Sequence, residues 1–367
     1  MMASKRILSL DIFRGLTVIL MILVNNPGSW SHIYPPLQHA NWHGCTPTDL
    51  VFPFFLFIVG VSISFSMYNA KKEESKRPQL LKKAVWRGLK LIGIGLFISL
   101  FPFFDFSSLR IPGVLQRIGL VFIFATTIFL YSDIKNIIGI LVLILISYWG
   151  MMTLIPIPGI GTPDLDDPNK VLSAYIDFKL MGNYLWSGSK TWDPEGLLTT
   201  LPAIATTLLG IIAGVLVKTL DKSIIVKRLI IIGACLTIAG AIWGVVFPIN
   251  KSLWTSTYVL YTGGWAYITL GLCYYIFDVK NFNPKITLVP HAFGLNPMIA
   301  YVVAELGAKL MYIIPINGTS LKEYIYQIMM NIGWSNELGS FVFAISYVVI
   351  LYIFVLILYR KKIVVKV

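Results

Sequence analysis

The chain has 367 residues, of which 56% are hydrophobic and 13% are charged, and its mean hydropathy is +0.76. Apolar runs of about 20 residues, enough for a helix to cross roughly 30 Å of hydrocarbon, recur from one end to the other. The composition therefore excludes a soluble protein and predicts an all-α polytopic membrane protein. The formal net charge of +13 does not imply a nucleic-acid partner, because basic loops that face anionic lipid account for most of it.

We predict about ten transmembrane helices in a single membrane domain that covers residues 1–367, with room for a re-entrant or interfacial helix within 313–338. The approximate bounds of the ten segments are 7–26, 49–69, 83–104, 112–131, 136–155, 197–217, 228–247, 253–277, 291–313 and 339–359.

Lys and Arg concentrate in alternate loops, which is typical of the cytoplasmic side of a membrane protein. These basic positions are Lys5, Arg6 and the stretches 71–83, 218–228, 280–285 and 360–362. The pattern predicts that both termini are cytoplasmic and that the loops at 27–48 and 156–196 face outward from a cell (inner) membrane. We expect the first apolar run to remain as a helix, because it lacks a small-residue cleavage site.

Charged residues inside the predicted helices are costly in lipid and need compensation. Asp11 and Arg14 lie three residues apart on one face of the first helix. They form either an internal ion pair that fixes packing or a site where Arg14 meets an anion from the cytoplasm. Arg87 and Lys90 lie near the same membrane face in the third segment, and Arg117 lies more than one turn inside the fourth.

The loop after the first helix holds three of the four histidines, His32, His39 and His43. Histidine is the side chain whose ordinary pKa suits proton transfer near neutrality. His39 and His43 are spaced to share a helical face with Asp49 nearby, so a metal site is one interpretation. The prolines and glycine around them disfavour a regular helix. We therefore predict a catalytic role for His39 and no metal.

Several blocks of sequence resemble the heparan-α-glucosaminide N-acetyltransferase family, and together they cover almost the whole chain in order. The blocks are Ser9–Gly15 (SLDIFRG), Val24-Asn25, His39–Trp42 (HANW) with Gly44 and Thr46, Asp49–Pro53 (DLVFP), Arg110–Gly119 (RIPGVLQRIG), Asp193–Leu198 (DPEGLL) with Leu201–Ala203, and Asn296-Pro297.

This resemblance implies a transmembrane acetyltransferase that takes acetyl from cytoplasmic acetyl-CoA and delivers it to the amine of an amino sugar at the far face. The histidine of the family's histidine-alanine pair corresponds to His39, and its asparagine at the outer end of the preceding helix corresponds to Asn25. The chain starts directly at the first motif helix, without the luminal domain of the animal lysosomal enzyme. It is therefore similar to a bacterial member, for which a free or short amino sugar such as glucosamine is the expected acceptor. The family also implies a homodimer as an open alternative to a monomer.

The chemistry of these residues agrees with that role. An amine that attacks a thioester needs a base, for which we assign His39, and the tetrahedral oxyanion needs a donor, for which we assign Asn25. Asp49 would orient the imidazole or hold a sugar hydroxyl. We assign the acceptor sugar to Trp42, Asp193 and Glu195.

The donor would span much of the bilayer. Arg14 and Asn25 are eleven residues apart on one helix, which corresponds to about 16 Å along its axis, a scale that suits an extended pantetheine arm. We assign the nucleotide phosphates to basic side chains, since no glycine-rich phosphate loop is present. These cofactor-binding candidates are Arg14, Arg87, Lys90 and Arg117.

Two mechanisms and two other functions stay open. His39 either carries acetyl as an acyl-imidazole or acts as a base during direct transfer, and we favour direct transfer. The alternative functions are O-acylation of an extracytoplasmic glycan and transport of a sugar or anion through the charged helices.

Overall fold

The computed structural model describes residues 7–282 and 285–365. Within these ranges the chain forms thirteen α-helices and one two-stranded β-hairpin. The helices are α1 (Leu8–Asn25), α2 (Val51–Met67), α3 (Arg77–Leu100), α4 (Val114–Tyr131), α5 (Ile134–Leu154), α6 (Leu172–Met181), α7 (Thr200–Thr219), α8 (Lys222–Trp243), α9 (Ser256–Tyr274), α10 (Leu288–Leu295), α11 (Pro297–Ile313), α12 (Leu321–Met330) and α13 (Asn336–Arg360). The strands are β1 (Pro315–Ile316) and β2 (Thr319–Ser320), which pair antiparallel.

The all-α polytopic membrane fold is confirmed. Among the described residues, seven helical segments are long and apolar enough to cross a membrane: α1, Pro47–Met67, α4, α5, α7, α8 and α13. The pair formed by Lys285–Leu295 and Pro297–Ile313 passes the same test together, which makes up to eight spans. Each of the ten predicted segments overlaps a helix or this pair, although α3 and α9 do not meet the criterion alone. The count of ten stays a prediction.

The segment predicted at 291–313 is not one straight helix. Its two halves meet at Asn296 with a bend of 81°. Asn296 has φ −128° and ψ 48°, outside the helical region, and Pro297 follows as the first residue of α11. Proline has no backbone N–H to continue a helix and disfavours helical geometry in the residue before it. The stretch 313–338 contains the β-hairpin and the short helix α12.

Glycine contacts allow two helix pairs to pack closely. A Cβ atom on Gly60 of α2 would lie 2.0 Å from the carbonyl oxygen of Thr207 on α7, and one on Gly210 would lie equally close to Phe57. In α1, a Cβ on Gly15 would lie 1.7 Å from the carbonyl oxygen of Pro290 on α10. Small residues permit such backbone approaches in membranes, where dispersion contacts hold helices together. The broken α10 is therefore held against α1.

The loops gather at two ends of the helices. We call the end with the His39 loop the histidine face, and the opposite end the terminal face. At the terminal face the Ser9 backbone N–H donates to Asp278 at 3.0 Å, and the Asn296 side chain donates to the carbonyl oxygen of Ile363 at 2.9 Å. The two described ends of the chain therefore lie at the same face. Lys5 and Arg6, part of the predicted orientation signal, lie outside the described residues, and the sidedness stays a prediction.

Candidate active site

A buried carboxylate organises the loop that carries His39. Asp49 lies in a 3₁₀ turn (Pro47–Leu50) that leads into α2. Its Oδ2 accepts hydrogen bonds at 3.0 Å from the backbone N–H groups of Ala40 and Thr46 and from the Thr46 hydroxyl. Its Oδ1 lies 2.7 Å from His39 Nδ1. The side chain of Asp49 is 1% exposed, whereas that of His39 is 44% exposed.

The contact with Asp49 favours one neutral tautomer of the imidazole. A carboxylate that already accepts three hydrogen bonds is fixed in position, so Asp49 also fixes the ring plane of His39. The ionised carboxylate only accepts, and the neutral tautomer that fits it carries its proton on Nδ1. His39 Nε2 is then left with a lone pair, which is the arrangement of a general base.

Lys251, which the sequence analysis did not select, lies beside this pair. Its Nζ is 2.9 Å from His39 Nδ1, 3.3 Å from His39 Nε2 and 3.4 Å from Asp49 Oδ1. Burial lowers the pKa of Lys251, while the charges of Asp49 and Glu195 oppose that shift. The sequence feature that points to Lys251 is its position. It is a lysine in the loop at 244–255, which the positive-inside pattern places on the outer side, where basic residues are scarce.

Asn25 ends α1 at the histidine face. Its side chain hydrogen-bonds the carboxyl group of Glu305 on α11. Asn25, the predicted oxyanion donor, is therefore held by Glu305, an acidic residue inside a predicted membrane segment. Among the described residues, the side chain of Asn25 hydrogen-bonds Glu305 and not His39.

Arg110 gathers the two acidic residues that we assigned to the acceptor. Its Nε lies 2.9 Å from Asp193 Oδ2, and its Nη2 lies 2.5 Å from Asp193 Oδ1 and from Glu195 Oε2. Asp193 has no exposed side-chain surface and also accepts from the backbone N–H of Trp186. Glu195 is 12% exposed. Of the two carboxylates, Glu195 keeps the greater freedom to bind a sugar hydroxyl.

Arg117 joins this cluster rather than Arg14. Its guanidinium is buried, donates to the carbonyl oxygen of Gly196 at 3.1 Å and to the Thr199 hydroxyl, and lies 5.0 Å from the Trp254 ring. It therefore supports the segment that follows Glu195 at the histidine face.

Trp42 links the histidine loop to the long loop at 155–199. Its indole N–H donates to the carbonyl oxygen of Leu165 at 2.8 Å, and its ring meets Trp192 edge to face at 5.3 Å. His43 makes a second link, with Nε2 2.8 Å from Asp166. The two loops thus form one surface around His39. Among residues 7–282 and 285–365, no three His, Cys, Asp or Glu side chains are grouped to hold a metal.

The remaining cofactor-binding candidates lie on two helices, Arg14 on α1 and Arg87 and Lys90 on α3. Arg14 Nη1 is 3.0 Å from Asp11 and 3.2 Å from the carbonyl oxygen of Gly294, and Nη2 donates to Ser62 at 2.8 Å. The internal ion pair with Asp11 is therefore present. Arg87 lies on α3 with its guanidinium 4.9 Å from the Phe122 ring, and Lys90 is exposed on the same helix.

A small apolar gap of about 10 Å³ lies between the two faces. It is bordered by α1, α2, α4 and α11, through residues that include Met21, Phe55, Leu115 and Met298. On α1, Met21 lies between Arg14 and Asn25, so the gap lies at an intermediate depth.

Comparisons with known proteins agree with the motif blocks. A family model described as heparan-alpha-glucosaminide N-acetyltransferase, catalytic, matches residues 6–222. The human heparan-alpha-glucosaminide N-acetyltransferase is 32% identical over 357 residues, which cover 82% of this chain and 53% of the human protein. The mouse protein of the same name is 32% identical over 360 residues, covering 83% of this chain and 54% of its own length. The chain thus spans about half the length of the curated relatives that it matches.

Proposed function

Because this chain belongs to the heparan-alpha-glucosaminide N-acetyltransferase family, we propose that it is an acetyl-CoA-dependent acetyltransferase of a cell membrane, acting on the amine of a glucosamine-type sugar. The observation that carries the proposal is the pair of His39 and Asp49, joined at 2.7 Å, with the carboxylate buried and the imidazole open to the histidine face.

In the proposed reaction the amine nitrogen of the sugar attacks the carbonyl carbon of the acetyl thioester. His39 Nε2 takes a proton from the attacking amine, and the new C–N bond forms as the carbonyl π electrons move onto oxygen. The tetrahedral intermediate collapses, the C–S bond breaks and the thiolate of CoA leaves. His39 then returns the proton to sulfur, so that the base is restored. The step needs no covalent acetyl-imidazole, which agrees with direct transfer.

Two side chains are suited to stabilise the oxyanion. Lys251 supplies a positive charge within 3.3 Å of His39 Nε2, and Asn25 supplies an amide at the end of α1. A donor held beside the position where charge develops stabilises the transition state more than the ground state. The contact between Asn25 and Glu305 restrains the asparagine. Glu195 and Trp42 border the same surface and are the candidates to hold the sugar.

The family supplies the expectation of acetyl-CoA as the donor, and we propose that its pantetheine arm extends between the helices from the terminal face toward His39. We propose that the histidine face is extracytoplasmic, following the positive-inside pattern. Acetyl would then cross the membrane on the thioester while the sugar stays outside.

The test is turnover of acetyl-CoA with glucosamine by the purified full chain, with CoA release and the acetylated sugar both measured. We expect His39→Gln to lower kcat by about 10²–10⁴ without weakening acetyl-CoA binding. The matched control is His32→Gln in the same loop, where the histidine lies 3.9 Å from Glu337 instead of the buried Asp49. Equal turnover by wild type and His39→Gln would reject His39 as the base.

The acceptor is tested separately with pairs of free and N-acetylated amino sugars. Turnover confined to the free amines supports N-acetylation. Turnover of the N-acetylated forms would replace it with O-acylation of a glycan. Uptake of sugar into proteoliposomes without CoA release would favour the transporter instead. An acetylated His39 trapped with acetyl-CoA alone would replace direct transfer with a two-step mechanism.

A further inference from the structure

Three tryptophan side chains lie in series at the histidine face. The Trp42 ring meets the Trp192 ring edge to face, with 5.3 Å between centroids, and the Trp192 ring meets the Trp186 ring in the same way at 5.7 Å. The ring planes turn by 72° and 71° at the two steps. We call Trp42, Trp192 and Trp186 the tryptophan ladder. It leads from the His39 loop to the surface, where Trp186 is 38% exposed.

A tight turn brings Trp186 and Trp192 together. The backbone N–H groups of Ser189 and Lys190 both donate to the carbonyl oxygen of Trp186, at 3.1 and 2.9 Å. Lys190 has a φ of +63°, in the left-handed region. The Trp186 ring lies against Gly188, where a Cβ atom would come within 2.6 Å of the ring. The turn therefore leaves room for the ring because residue 188 is a glycine.

Both ends of the ladder are attached to the candidate active site. The Trp186 backbone N–H donates to Asp193 Oδ2 at 2.9 Å, and Asp193 shares its arginine partner with Glu195. At the other end, Trp42 follows His39 by three residues. A sugar held at Glu195 and His39 therefore lies beside the ladder, and sugars linked to it are within reach of the rings.

Tryptophan rings with open faces suit the apolar faces of sugars. The face of an aromatic ring carries negative charge density, and the C–H bonds of a pyranose carry partial positive charge, so the two attract each other. Tryptophan also offers a wide contact area at a small cost in conformational entropy. Trp42 and Trp192 are half-buried, whereas Trp186 is exposed. A series of such rings fits a series of linked sugars better than a single sugar.

The charges beside the ladder disfavour an anionic glycan. The loop at 164–170 accepts the indole N–H of Trp42, and three of its seven residues are aspartates. The basic residues nearby are Lys170, which pairs with Asp167, and Lys190 of the turn. The net charge beside the ladder is therefore negative, which repels sulfate or carboxylate groups on a bound glycan.

We propose that the tryptophan ladder forms subsites for an oligosaccharide acceptor, with an amino sugar at the reacting end and uncharged sugars stacked on Trp192 and Trp186. The proposal rests on the proposed function, because that function supplies the reacting amino sugar. It narrows the acceptor from a free amino sugar to the end of a neutral glycan. Trp186 and Trp192 are then specificity-determining residues that take no part in acetyl transfer.

The first experiment measures binding without turnover. The probe is a trisaccharide of N-acetylglucosamine, which has no free amine, and calorimetry gives its affinity for the purified full chain. Trp186→Ala is the test variant, because it removes the exposed ring and keeps the backbone N–H that donates to Asp193. We expect its Kd for the trisaccharide to rise roughly three- to tenfold. Trp186→Phe keeps an aromatic face and should recover most of the affinity.

The matched control is Tyr184→Ala in the same segment. Tyr184 is 41% exposed, and the hydrogen bond that it accepts from Ile111 uses its backbone carbonyl, which the change retains. Little change in affinity is expected. Equal losses in Trp186→Ala and Tyr184→Ala would reject the ladder, as would failure of Trp186→Phe to recover affinity. Equal binding by wild type and Trp186→Ala would also reject it and leave Trp186 as an aromatic anchor at the membrane interface.

The second experiment compares turnover of glucosamine with turnover of a trisaccharide that carries glucosamine at its non-reducing end and N-acetylglucosamine at its other two positions. We expect wild type to prefer the trisaccharide through a lower KM, and Trp186→Ala to lose that preference through KM rather than kcat. The same trisaccharide with sulfated inner sugars should lose the preference, because the loop at 164–170 is acidic. Preference for the sulfated form would overturn the assignment to a neutral glycan.

The two experiments separate this proposal from the proposed function. Trisaccharide binding that weakens in Trp186→Ala, in a protein that releases no CoA, would support the ladder while rejecting the acetyltransferase activity. Turnover of glucosamine without any preference for the trisaccharide would support the activity and reject the ladder.

Discussion

The histidine face and the terminal face are built in different ways. At the histidine face, buried carboxylates fix exposed or half-buried partners: Asp49 holds His39, and Asp193 holds Arg110. At the terminal face, the cations Arg360 and Lys362 are exposed around an open cleft.

The two faces differ in construction because the proposed function gives each of them a different task. Proton transfer and oxyanion stabilisation need groups held within a few tenths of an ångström, because the stabilisation depends on orientation. Phosphate binding depends more on charge, which tolerates mobile side chains. We therefore expect changes at the histidine face to alter turnover or folding, and changes at the terminal face to alter affinity for CoA.

The largest effect is expected for Asp49→Asn. An asparagine cannot accept all the hydrogen bonds that Asp49 accepts, and its amide group would present a donor to His39 Nδ1 and favour the wrong tautomer. We expect kcat to fall by about 10²–10⁴ with unchanged CoA affinity. Asp166→Asn, beside His43, is the control, because Asp166 is 87% exposed. A matching loss of CoA affinity in Asp49→Asn would show that the two faces do not act separately.

Arg110→Ala tests whether the ion pair between Arg110 and the buried Asp193 stabilises the fold. It would leave Asp193 charged and buried without its cation, which costs about 3–5 kcal/mol of unfolding free energy. Thermal unfolding in detergent measures the change. Lys170→Ala is the control, since it removes only an exposed ion pair with Asp167, and little change is expected. If Arg110→Ala unfolds like the control, the cluster does not stabilise the histidine face.

Lys251→Met tests the proposed role of Lys251 in stabilising the oxyanion, a residue that the sequence motifs did not identify. If its ammonium stabilises the oxyanion, kcat/KM should fall by roughly 10². Because burial lowers the pKa of Lys251, the wild type should lose activity on the alkaline side below the pH at which an ordinary lysine deprotonates. Lys251→Arg should keep its charge and extend the active range to higher pH. Identical alkaline limbs in wild type and Lys251→Arg would exclude this role.

The last prediction concerns the pH dependence of stability at Asp177 of α6. Burial raises the pKa of this carboxyl from 3.8 to about 7, while hydrogen bonds from the Leu197 and Leu198 backbones oppose the shift. Between these two pH values the folded protein binds a proton that the unfolded chain does not, so stability falls as pH rises from about 4 to about 7. Asp177→Asn should abolish this dependence and should be more stable relative to wild type at pH 8 than at pH 4.5. Parallel melting curves across that range would contradict the assignment.

Local sequence accounts for much of the site. His39 and Asp49 are ten residues apart in one loop, and the hydrogen bonds from Ala40 and Thr46 to Asp49 are local contacts that help to bring them together. Lys251 could not be paired with them from the sequence, because 212 residues separate it from His39. The contacts of Arg117 with Gly196 and Thr199 could not be predicted from the sequence either. The position of a residue along a helix does not reveal which neighbouring segment its side chain faces.

The sequence by itself determined the class of the protein, its family and the closeness of His39 to Asp49, because hydrophobic length, motif order and short-range turns are encoded in neighbouring residues. Only the tertiary structure decided that the tenth segment breaks at Asn296, that Lys251 lies against His39, and that Arg360 and Lys362 meet the start of α1. Those contacts depend on helix packing, in which residues hundreds of positions apart become neighbours through the close approach of α1 and α10 and the return of the C-terminal tail.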